Sequence, residues 1–129
     1  MGVRREMALK PEVDVFDFLQ MHPSLYAIIS FVLGYCQTHQ LPCLITSLMD
    51  EAEGRVSRTH QEGRAFDVST RGWSEFHIHR LVKLTNDRFK DIGAVSNVDL
   101  VPRAAIYHKV DGGEYHFHFQ VRPELPGIF

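Results

Sequence analysis

The chain holds 8 histidines, and those from His60 onward cluster: His60, then His77 and His79, then His108, His116 and His118. Histidine is the commonest metal ligand and the usual proton carrier near neutral pH. The run Tyr115 to Val121 alternates, with Tyr115, Phe117, Phe119 and Val121 on one side and His116, His118 and Gln120 on the other. That is strand spacing, with the apolar side facing a core. Residues two apart on a strand point the same way, about 7 Å apart. Two imidazoles can thus converge on one site. His77 and His79 differ, because the spacing around them predicts a helix, where two residues correspond to about 200° of rotation. Those two rings diverge and read as surface or cap residues.

A second chemical stretch runs from Ser57 to Asp67. His60 ends a polar loop, and Gly63 permits a tight backbone turn there. Arg64 to Ser69 alternates, with Ala65, Asp67 and Ser69 on one face and Arg64, Phe66 and Val68 on the other. A loop that doubles back can bring His60 beside Asp67. One imidazole from the last strand then makes two histidines and one carboxylate. Three protein ligands with a fourth position left to water is the pattern of catalytic zinc. Two His and one Asp also suit manganese, iron or cobalt.

The elements that must carry these groups are legible in outline. Ser24 reads as a helix cap, followed by apolar residues at helical spacing to about His39. Leu41 to Leu48 reads as a short buried strand. Asp50 to Gln61 is a loop, and Ser74 caps a second helix to about Phe89, with Phe76, Leu81, Leu84 and Phe89 apolar. Ile92 to Arg103 reads as irregular. Ala104 to Val110 and the last strand flank Asp111-Gly112-Gly113, the signature of a hairpin. Residues 1–129 form one domain, with 1–13 a loose arm.

Composition narrows the class. Apolar residues make up 44% and charged residues 23%, ordinary for a folded globular domain. The net charge is −2, which gives no broad electrostatic reason to bind nucleic acid or an anionic membrane. Cys36 and Cys43 lie in apolar stretches and read as buried thiols. No apolar run has the length of a membrane span, and the start has no signal-peptide pattern. The expectation is synthesis in the cytoplasm. Oligomeric state is not legible.

The run His60-Gln61-Glu62-Gly63-Arg64-Ala65-Phe66-Asp67 resembles the H-x-x-G-R-A-x-D motif of the D-Ala-D-Ala metallopeptidases. His116-Phe117-His118 resembles the H-x-H motif of that superfamily, which includes lysostaphin-type enzymes and hedgehog domains. The likeness spans about Leu41 to Val121, in the same order, and is nearest to small phage-encoded peptidases. It implies an α+β fold, a small antiparallel sheet with zinc on one face and helices on the other. His60, Asp67 and His118 would hold one zinc ion, and His116 would assist beside it. The implied activity is hydrolysis of a peptidoglycan stem peptide at a bond involving a D-amino acid, in phage or prophage lysis or wall penetration. The enzyme would act after release from the cell or as part of a virion.

Two departures from the family pattern bear on mechanism. Such peptidases commonly place a Glu shortly before the last ligand as general base. Three residues before His118 stands Tyr115, and three before His116 stands Gly113. Glu114 shares a face with His116 and His118, and His108 can lie across the hairpin from them. The base is thus open between Glu114, His108 and His116. An arginine that often follows the Ile45-Thr46-Ser47 strand is missing, and Arg58 or Arg55 could bind substrate charge instead. The alternative function is a non-catalytic zinc-binding module on the same fold.

Overall fold

Residues 7–9, 23–47, 64–95, 101–109 and 115–122 are described by the computed structural model. Helix α1 spans Pro23–His39. It starts one residue before the expected Ser24 cap, because proline at a first helical position has a preset φ and lacks an N–H that would be unpaired anyway. Its far end is closed by Gln40 in the left-handed conformation, φ 56°, with the Leu41 amide donating to the Cys36 carbonyl at 2.9 Å. Helix α2 spans Glu75–Arg88, and Ser74 caps it as expected, its Oγ accepting from the His77 amide.

The strands are β1 (Met7–Leu9), β2 (Cys43–Ser47), β3 (Ala65–Ser69), β4 (Ala94–Val95), β5 (Pro102–Arg103), β6 (Ala105–Lys109) and β7 (Tyr115–Gln120). Five form one sheet in the order β1-β2-β3-β7-β6, and β4 pairs with β5 separately. The pairs β2–β3, β3–β7 and β7–β6 are antiparallel. The edge pair β1–β2 is parallel, so Met7–Leu9, within the expected loose arm, lies as a strand beside Cys43–Ile45. The architecture is α+β, as the sequence leads one to expect. The small β4–β5 ladder occupies part of the stretch expected to be irregular. The Asp111-Gly112-Gly113 turn and the 50–61 loop lie outside the described residues.

Strand alternation decides which side of the sheet each group takes. Phe66 and Val68 of β3 and Phe117 and Phe119 of β7 are buried with Leu25, Ile28, Val32 and Leu81 of the helices. Phe66 stacks on Phe119 with centroids 4.8 Å apart, and Trp73 meets Phe117 edge-on at 4.9 Å. Removing such rings from water is the main source of stability here. Two expected apolar positions fall outside this core: Phe76 is 65% exposed in the first turn of α2, and Tyr115 is 51% exposed at the start of β7. Both sit at the end of an element, where the neighbouring layer no longer covers them.

Two residues pin the start of β6. The Asn86 amide donates to the Ala105 carbonyl at 2.9 Å, and its Oδ1 accepts from the amides of Ala104 and Ala105. Gly93 lets the same backbone approach: a Cβ there would stand 2.7 Å from the Ala104 nitrogen. Cys36 and Cys43 are buried and unlinked, as expected. The hydrogen bond Cys36 gives Cys43, together with burial, pushes the Cys36 thiol far above its usual range.

Candidate metal centre

Register places the chemical groups of three strands on the sheet face opposite the aromatic core. Asp67 is the cross-strand partner of His118, and Ser69 of His116. His108 is the partner of His116 on the other side, and Ile106 of His118. A shift in the β2–β3 register sets Ser47 opposite Asp67 while Ile45 stays opposite Val68. Such a bulge re-aims a side chain next to a site.

The side chains meet as this register requires. His118 Nδ1 lies 2.9 Å from Asp67 Oδ1, and both residues are buried. His116 Nε2 stands 3.5 Å from the other carboxylate oxygen, Oδ2. The His108 ring meets His116 edge-on with centroids 4.8 Å apart and His118 at 5.7 Å. Three imidazoles and one carboxylate thus form a continuous polar cluster on one face. Of the residues singled out from the sequence, Asp67, His116, His118 and His108 are brought together. His60, Glu114, Arg55 and Arg58 lie outside the described residues.

Gln120 is a member of this cluster that the motif comparison does not mark. It is buried, and its Oε1 lies 2.9 Å from His118 Nε2. Its own amide nitrogen donates to the Arg103 carbonyl at 3.2 Å. The signal was present in the alternation of β7, which sets Gln120 on the same face as His116 and His118.

Asp67 and His118 offer two donors of the types a divalent cation takes. A carboxylate offers only acceptors, and the Gln120 amide turns its oxygen toward the ring. Both nitrogens of His118 therefore face acceptors. A neutral imidazole has one N–H, so the ring can donate to one of these two acceptors and turns a lone pair toward the other. Asp67 Oδ1 and His118 Nδ1 are the donor types zinc takes. Among the described residues, no three His, Cys, Asp or Glu side chains are disposed to hold a metal ion together. His60, which the motif resemblance leads one to expect as the third donor, lies outside the described residues.

His77 and His79 stand apart from this centre, on α2. His77 Nδ1 is 2.6 Å from the Tyr35 hydroxyl, where α2 packs on α1. His79 is exposed and meets Tyr107 edge-on at 6.0 Å. Arg64, expected on the face away from Asp67, donates through Nη1 to the Val121 carbonyl at 2.7 Å. Among the described residues, no helix is long and apolar enough to cross a membrane. No family model, no curated protein and no solved structure matches this chain.

Proposed function

We propose that the chain is a zinc-dependent peptidase that hydrolyses peptidoglycan stem peptides at a bond involving a D-amino acid, in phage or prophage wall lysis or penetration. One observation carries this: the carboxylate of the first motif and the last histidine of the second meet at 2.9 Å in a buried position. His60, Asp67 and His118 would hold the ion. When bound, zinc supplies Lewis acidity, polarising the scissile carbonyl and making water nucleophilic near neutral pH.

The chain's own groups divide the remaining work. Asp67 and His118 are fixed by the β3–β7 ladder and shielded from solvent, which strengthens their electrostatics. His116 is half-buried and holds its Nε2 beside Asp67, placed to donate to a carbonyl oxygen that gains charge. His108 is exposed on the far side of His116, open to substrate and solvent, and can accept or return a proton. Glu114 is the other candidate base. Arg55 and Arg58 would bind the charge of the stem peptide.

The test is zinc content by elemental analysis, followed by digestion of purified cell wall. About one zinc per chain is expected in the wild type, lost in His60→Ala and His118→Ala, with soluble peptides released from the wall. Absence of zinc after refolding with the metal would overturn the proposal. The second reading, a non-catalytic zinc module, is favoured by one feature: Tyr115 stands where such peptidases commonly have a carboxylate. Protein that holds zinc and leaves the wall intact would establish that reading instead.

A further inference from the structure

The strand that carries His116 and His118 has a third polar residue on the same face, and both ends of its side chain are engaged. Gln120 is buried beneath His118, with Oε1 at 2.9 Å from Nε2 and its amide nitrogen on the Arg103 carbonyl at 3.2 Å. We propose that Gln120 is a positioning residue. It holds His118 in the tautomer that carries its proton on Nε2 and leaves the Nδ1 lone pair, beside Asp67, for the metal ion. The inference rests on the zinc proposal above and deepens it.

The orientation of Gln120 is fixed from below rather than by the ring. Carbonyl groups accept only, so the Arg103 oxygen must receive the amide NH₂ end, which turns Oε1 toward His118. The Arg103–Ala104 backbone is itself held. Asn86 binds the amides of Ala104 and Ala105, and the Gln120 backbone N–H donates to the Ala104 carbonyl at 2.9 Å. Gly93 leaves room for that backbone where a Cβ would meet it at 2.7 Å. A rigid chain of contacts thus runs from α2 through β6 to the imidazole. A ligating histidine needs its second nitrogen fixed in this way, and loss of such a partner weakens metal affinity by about 10- to 100-fold.

A purely structural glutamine would stabilise the sheet without selecting a tautomer, and the two roles separate experimentally. Gln120→Met keeps the length and removes the acceptor. Gln120→Glu keeps an acceptor toward Nε2 and gives up the donation to Arg103. Zinc affinity is read by competition with a chromophoric chelator, and ring protonation by long-range ¹H–¹⁵N spectra of the histidines. Melting in chelator verifies that each variant folds. The expected result is a roughly 10- to 100-fold loss of zinc affinity in Gln120→Met, a much smaller loss in Gln120→Glu, and a His118 proton on Nε2 in the zinc-loaded wild type. Zinc bound by the wild type with equal affinity in both variants, or a His118 proton on Nδ1, would overturn this inference and leave the zinc proposal standing. A wild type that takes up no zinc would overturn both.

Discussion

Asp67 and His118 are cross-strand partners on β3 and β7, and their side chains meet at 2.9 Å although both residues are buried. A buried carboxylate is stable only with partners, and here both of its oxygens have an imidazole nearby, the second being His116 at 3.5 Å. Asp67→Asn keeps the shape and removes the charge. It is expected to lower stability by about 1–3 kcal/mol in chelator-treated protein, since a charge-assisted bond to a buried ring is lost. It should also abolish zinc uptake. Urea denaturation gives the first value and elemental analysis the second. Zinc retained by this variant would remove Asp67 from the proposed ligand set.

Asn86 ties α2 to the strand that carries His108. Three hydrogen bonds, two accepted and one donated, join its amide to the backbone of Ala104 and Ala105. Asn86→Ala leaves these partly buried groups short of partners and should cost about 2–4 kcal/mol, because unmade buried bonds carry their full desolvation penalty. Asn86→Asp keeps the acceptor toward both amides and should fall between. Urea midpoints with unchanged slopes would give the difference directly.

The close of α1 offers a stabilising change. Gln40 has φ 56°, and the Leu41 amide donates back to Cys36 across it. A residue with a Cβ is strained there, whereas glycine is not. Gln40→Gly should raise stability by about 0.5–1 kcal/mol, after the extra freedom glycine has in the unfolded chain is subtracted. Thermal melting would show it as an increase of a few degrees. A fall would mean that the Gln40 side chain supplies more than the strain removes.

Much of this architecture could be read from alternation. The two faces of β3 and β7 are as the residue pattern predicts, because one face is aromatic and the other polar, and strand geometry has a period of two. Ser74 announced α2 because a serine in extended conformation can accept from an amide three residues on. Elements whose cause is not local were harder to see. Met7–Leu9 becomes a strand only because β2 offers an edge, and nothing in its own three residues says so. The β4–β5 ladder depends on Gly93 and Asn86 drawing distant backbone together. Gln120 lay in plain view on the histidine face. Its role emerges only when the Arg103 carbonyl is seen beneath it, a contact between residues of different strands.

Tyr35 makes stability depend on alkaline pH. Its hydroxyl lies 2.6 Å from His77 Nδ1. Burial raises its pKa above the usual value, with the Arg80 charge opposing. In the unfolded chain the phenol ionises near pH ~10. The folded chain holds its proton to higher pH, so above that point the unfolded state binds fewer protons and stability falls. The contribution is intact below about pH 10 and is lost as pH climbs from there through the raised folded value. Tyr35→Phe removes the ionisation along with the bond to His77. That variant should be less stable near neutrality by about 1 kcal/mol, the ordinary worth of one hydrogen bond. Its loss of stability between pH 9 and pH 11 should be shallower than that of the wild type. Urea midpoints for the pair across that interval decide the matter, and parallel curves would show that Tyr35 stays outside the linkage.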